Sequence, residues 1–179
     1  MTSAAQSAQL TTQFHAQAPQ LYAAYLGLND IADLMHLQAR ARAGNEAALI
    51  PRTATQIADG MQEGYHHIGI FDEDRLIAHA RISPDNADSA DPLGDAALCA
   101  VMVDPDWRGY KLGHTLIRLG INLAKEMGFM SLNTRVHPDN KPMWQTFEKH
   151  GFACERFARS HERPAVPDCH VYHYKHRLD

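Results

Sequence analysis

Apolar residues along this chain change their spacing several times, and each change marks an element. Leu21 to Leu28 is a short apolar run that predicts a first strand, although its alanines also permit helix. Asn29 or Asp30 then supplies a helix cap, with Ile31, Leu34, Met35 and Leu37 on the inner side and Gly44 and Asn45 as the stop. Thr53 opens a second helix that turns Ile57 and Met61 inward and closes at Gly64. Tyr65 to Phe71 and Leu76 to Ile82 flank the polar stretch Asp72–Arg75 and predict a hairpin. A loop rich in proline and aspartate, Ser83 to Gly94, follows. Ala97 to Val103 reads as a buried strand, stopped by Asp104-Pro105-Asp106.

The strongest helical stripe comes next: Leu112, Leu116, Leu119, Leu123 and Met127, widened by Ile117, Ile121 and Ala124. Phe129 to Val136 predicts a strand, Pro142 to Lys149 a short helix, and Phe152 to Phe157 with His170 to His176 a closing pair of strands. The result is a mixed α/β layout without internal repeats or linkers. A single domain over residues 21–179 is expected, preceded by a disordered or weakly helical extension over residues 1–20, which is rich in Ala, Gln, Ser and Thr.

Composition narrows the function classes. The chain has 179 residues, 45% of them hydrophobic, enough for one sizeable core. A net charge of −4 gives no sign of a nucleic-acid surface. Cys99, Cys154 and Cys169 are odd in number and widely spaced, which suits a reducing compartment. No apolar run reaches membrane-spanning length, and the N-terminus lacks a basic region followed by a hydrophobic core. A soluble, cytoplasmic protein with no membrane partner is expected. The 12 histidines are scattered; His66 and His67 fall on opposite faces of a strand, as do His170 and His173. No HExxH or Cys/His zinc spacing occurs, so no metal is expected.

The candidate chemistry begins between the buried strand and the striped helix, at Arg108-Gly109-Tyr110-Lys111-Leu112-Gly113. A helix opening straight after such a loop presents unpaired N–H groups and the positive end of its dipole. A phosphate is the natural guest. Gly109 and Gly113 admit close backbone approach, while Arg108 and Lys111 add charge. No Gly-Lys-Ser/Thr follows and no GxGxxG is present, which excludes two common nucleotide cradles.

Val103-Asp104-Pro105 with Arg108 and Gly113 resembles motif A of the GNAT (GCN5-related) N-acetyltransferases, Arg/Gln-x-x-Gly-x-Gly/Ala. Lys111 stands where the family usually has its middle glycine. Downstream, Asn140, Gly151 and Phe152 match that family's Asn-x-x-Ala-x-x-Leu-Tyr-x-x-x-Gly-Phe, whereas Met143, Thr146 and Phe147 depart from it. The resemblance covers roughly Asn29 to the C-terminus. It implies the GNAT fold: a mostly antiparallel twisted sheet of six to seven strands with flanking helices, splayed at its central strands to hold acetyl-CoA or another acyl-CoA.

By that resemblance, Met102 and Val103 supply backbone groups to pantetheine. Arg108, Gly109, Tyr110, Lys111, Leu112, Gly113, His114 and Thr115 hold the pyrophosphate. Asn140 bonds the pantetheine arm, and Met143 and Phe147 lie against its sulfur end. The reaction implied is acetyl transfer to a primary amine by direct attack, which needs a base for the ammonium and an acid for the thiolate. Phe147 replaces the family's usual tyrosine acid, and Ala97 to Val103 holds no carboxylate base. His137, at the end of its strand, is a candidate base with an ordinary pKa near neutrality, or else a turn residue before Pro138. His79 is a weaker candidate, or else a buried histidine satisfied by hydrogen bonding. Cys99 reads as a small hydrophobe rather than an acyl carrier. Trp107 either covers the turn or shields the cofactor, Tyr110 either stacks or is simply exposed, and Trp144 reads as packing.

Substrate choice is expected in Asn45–Arg52 and Arg159–Asp168, where Glu46, Glu162 and Asp168 either attract a cationic amine or are solvated charges. A small-molecule amine is the favoured acceptor. A protein N-terminus or lysine stays open, as do a non-catalytic acyl-CoA-binding module and a homodimer.

Overall fold

The computed structural model describes residues 21–43, 51–84, 94–159 and 170–178. Seven strands among these residues form one sheet: β1 (Leu21–Leu26), β2 (His66–Asp72), β3 (Arg75–Pro84), β4 (Asp95–Val103), β5 (Ser131–Val136), β6 (Ala153–Arg159) and β7 (His170–Arg177). Their spatial order is β1-β2-β3-β4-β5-β7-β6, antiparallel throughout except for the parallel β4–β5 pair. Among the described residues, four helices flank it: α1 (Ile31–Arg42), α2 (Ala54–Gln62), α3 (Leu112–Glu126) and α4 (Lys141–Lys149). The predicted mixed architecture and its element order are both present. The expected extension over residues 1–20, the stop at Gly44 and Asn45, most of the Ser83–Gly94 loop and most of both substrate loops lie outside the described residues.

Alternation along the strands sorts residues onto two faces. On one, Ile68, Ile70, Ala80, Ile82 and Leu98 meet the α3 stripe of Leu112, Leu116, Ile117, Leu119 and Leu123. Gly120 lets that helix come close, since a Cβ there would lie 3.0 Å from a Leu98 methyl. On the other face, Leu26, Phe71, Leu76 and Met102 are covered by Leu34, Leu37 and Ala41 of α1 and Ile57 of α2.

Several local details differ from expectation. The first strand stops at Leu26, because Leu28–Asp30 winds into a 3-10 turn. Asp30 directs its carboxylate back to the Gly27 N–H, at 2.8 Å, instead of capping α1. Gln38 and Ala41 are buried in α1, whereas Ile31 and Met35 are half-buried. Gln38 is admitted because its amide exchanges two hydrogen bonds with the Arg52 backbone, at 2.9 and 3.0 Å, and so joins α1 to the entry of α2. Thr53 caps α2 as expected, in a reciprocal box with Gln56.

The buried Asp104 carboxylate fixes the end of β4. It accepts from Arg40 Nε at 2.6 Å and Arg75 Nη2 at 2.8 Å, while Arg40 also donates to the Leu76 carbonyl. Burial alone would raise this carboxyl, but the bonds from Arg40, the Asp106 N–H and Arg75 together hold it below its ordinary value.

Candidate active site

The site opens where β4 and β5 part. Their ladder pairs only Asp95–Ala97 with Ser131–Asn133. Asp95 fastens that end, accepting from Ser131 Oγ, Asn133 Nδ2 and Lys175 Nζ. Further on, Thr134 Oγ1 donates to the Leu98 carbonyl at 2.9 Å, and the backbone pairing has ended. A bulge in β4 accompanies the parting. His79 faces Met102 and Arg81 faces Cys99, so β4 carries one residue more than β3 over this stretch. Ala100 adopts φ 52°, a left-handed conformation uncommon for a residue with a Cβ.

A cavity of about 400 Å³ occupies this region. Its walls come from β4 and β5, from Leu34, Gln38 and Ile57 beneath α1 and α2, and from α4. The structure brings six of the sequence-predicted residues together here: His79, Met102, His137, Asn140, Met143 and Phe147. Val103 is not on the wall; it pairs with Ala78 at the strand end. Cys99 is half-buried and lines the cavity. Phe147 is buried and packs edge-on against Phe152, and its ring has no proton to give. Trp144 donates to the Pro138 carbonyl and meets Tyr172 edge-on, which makes it a packing residue.

The predicted phosphate cradle stands apart from this wall. Gly109 at φ 88° and Lys111 at φ 61° turn the chain into α3. Thr115 is the first residue to donate within the helix, to Lys111 O at 3.1 Å. The N–H groups of Leu112, Gly113 and His114 therefore have no helical acceptor. The space above Gly113 is open: a Cβ built there would meet nothing within 4 Å. This is the arrangement a pyrophosphate needs. Leu112 buries its side chain, Tyr110 is exposed beside Trp107, and Arg108 reaches back to the Ala41 carbonyl at 3.3 Å. His114 Nδ1 meets His150 Nε2 at 3.1 Å; burial first, then nearby cations, lower both rings.

His67, which the sequence pattern left without a role, is the main addition. Its Nδ1 lies 2.9 Å from His79 Nε2, and His79 Nδ1 lies 3.1 Å from the Ala100 carbonyl. A carbonyl only accepts, so His79 carries its proton on Nδ1 and offers the Nε2 lone pair. His67 must then donate from Nδ1, which leaves its own Nε2 as a lone pair, buried without a partner. Burial pushes His67 down to about 4, helped by Arg81, His66 and Arg52, and holds His79 well below its ordinary value. Both rings are neutral at neutral pH. The hairpin register brings them together: His67 faces Arg81 and Gly69 faces His79, so the His67, His79 and Arg81 side chains share one face.

His137 is arranged differently. Its Nδ1 accepts the Asp139 N–H at 3.3 Å, and its carbonyl accepts from Asn140, as in a turn. In the neutral ring the proton therefore sits on Nε2, and no lone pair is free. No group of three or more His, Cys, Asp or Glu able to hold a metal occurs among the described residues.

The chain belongs to the acetyltransferase (GNAT) family, whose model matches residues 31–152. Members of this family use acetyl-CoA. No curated protein matches the chain in sequence. Among solved structures it is similar to the ribosomal-protein-S18-alanine N-acetyltransferase of Escherichia coli, at 20% identity and TM-score 0.71, over 89% of this chain and 94% of that one. It also resembles the Salmonella typhimurium protein yncA solved with its cofactor acetyl-CoA, at 14% identity and TM-score 0.74, over 89% and 95%. An N-acetyltransferase from Staphylococcus aureus aligns at 13% identity and TM-score 0.74, over 89% and 99%.

Proposed function

We propose that this protein transfers an acetyl group from acetyl-CoA to the primary amine of a small molecule, by direct attack while both are bound. The observation that carries this reading is one continuous cavity. It joins the gap between β4 and β5 to the space under α1 and α2, with His67 among its lining residues and the Nε2 lone pair of that ring buried without a partner. Acetyl-CoA supplies the acetyl group as an activated thioester. The N–H groups of Leu112, Gly113 and His114 hold its pyrophosphate, within the loop from Arg108 to Thr115. Backbone groups of Met102, with Asn140, Met143 and Phe147, hold the pantetheine arm.

The chain's own contribution is proton handling. An amine attacks only when neutral, so its ammonium proton must leave. His67 Nε2 takes it, with His67 Nδ1–H kept on the His79 Nε2 lone pair and His79 Nδ1–H on the Ala100 carbonyl, so the charge rests on the less deeply buried ring. Atoms and charge balance, and neither ring has to move. His137, with its Nδ1 already engaged, serves as a donor from Nε2 rather than as the base. Phe147 contributes shape and exclusion of water.

The test is release of CoA thiol from acetyl-CoA across a panel of small amines and basic peptides. Turnover with a small amine is the expected result. Turnover with peptides alone would move the acceptor to proteins. Tight acetyl-CoA binding with no turnover across the panel would favour a binding module, as the proton-free Phe147 would suit.

A further inference from the structure

The cavity is cationic. Among the described residues, Arg52 and Arg81 line it and no aspartate or glutamate does. Arg81 is the informative one. It is only 6% exposed, its guanidinium lies 5.1 Å from the centre of the Tyr65 ring, and its Nε is buried without an acceptor. No carboxylate among the described residues pairs with it. Arginine cannot shed its charge in a protein, and a buried charge is costly unless paired. Elsewhere this chain meets that requirement itself, since Arg40 and Arg75 share Asp104. Here it leaves a guanidinium, the group that grips a carboxylate with two parallel bonds, on the wall of the acceptor space. Directly across the β2–β3 register stands His67.

We propose that the acceptor is a small amino acid, a molecule with both a primary amine and a carboxylate. Arg81, with Arg52, holds the carboxylate while His67 faces the amine. This rests on the acetyltransferase reading and names its substrate class. It sets aside polyamines and aminoglycosides, whose extra positive charges would meet like charge. The arrangement also couples binding to chemistry. Arg81 and Arg52 are among the charges that hold His67 low, so a carboxylate placed between them restores basicity to that ring when an acceptor is present.

The test compares the common amino acids with their own carboxamides, which keep the amine and lose the charge, plus simple diamines. CoA release is measured on wild type, Arg81→Gln and Arg81→Lys. The wild type is expected to favour acid over amide by roughly thirtyfold or more in kcat/KM for its best substrate. Arg81→Gln brings that ratio close to one, and Arg81→Lys restores part of it. A variant that is merely poorly folded lowers both rates alike and leaves the ratio intact, which would count against the proposal. Amides or diamines turned over as well as acids by the wild type would overturn it while leaving the transferase reading in place. Thermal stabilisation by each amino acid and amide, in the presence of CoA, separates the remaining outcomes. If nothing is acetylated but acids raise the melting temperature of wild type and not of Arg81→Gln, the anion site stands and the transfer reading falls. If neither effect appears, both fall.

Discussion

The same three strands present two unlike faces. Toward α3 they turn Ile68, Ile70, Ala80, Ile82 and Leu98, all at 0% exposure, against an apolar helix stripe. Toward α1 and α2 the intervening positions carry His67, His79 and Arg81, at 4%, 1% and 6%. Burial is equal and chemistry is opposite. The α3 face gains from every apolar atom removed from water. The other face gives up solvation of three polar groups and leaves the His67 Nε2 and the Arg81 Nε without partners. Because strand residues alternate, the fold places its stability and its chemistry on the two sides of one sheet, a residue apart.

The comparison breaks most readily from the apolar side. Leu116→Ala removes a fully buried side chain against the sheet and is expected to cost about 3 kcal/mol, read from denaturant unfolding, with acetyl-CoA affinity of the folded fraction unchanged. A loss below about 1 kcal/mol would mean that α3 does not carry the core.

Acid sharpens the comparison from the polar side. His67 sits at about 4 when folded, against 6.5 for a free histidine. Between those values the unfolded chain binds a proton that the folded chain refuses. Stability is therefore whole above pH 6.5 and declines as pH falls toward 4, by about 2 kcal/mol from neutrality to pH 5 for this residue. His79 acts in the same direction. Melting curves across that range should show the slope, and His67→Gln should reduce it. An undiminished slope would move the acid sensitivity to another lowered histidine, such as the His114–His150 pair.

What could be read from sequence follows the same division. The α3 stripe and the Arg108–Gly113 loop are local patterns, so spacing alone located them. Asn140, Met143 and Phe147 were placed by family spacing, and all three lie on the cavity wall. His67 was not legible, because its meaning lies in a partner 12 positions away across a hairpin. Ala100 gave no sign either, since a left-handed alanine looks like any other alanine in a strand. The Arg40–Asp104 bond spans 64 positions and depends on where α1 docks. His137 lies on the cavity wall, but its lone pair is committed by a backbone N–H that spacing cannot reveal.

The most direct test of the account is His67→Gln, assayed for CoA release at neutral pH with acetyl-CoA affinity measured on the same sample. Glutamine can still donate to His79 but is a poor base. The account predicts a fall in kcat of about a hundredfold or more, with cofactor affinity nearly unchanged. Undiminished turnover would show that the proton leaves by another route and that the buried histidine pair is only structural.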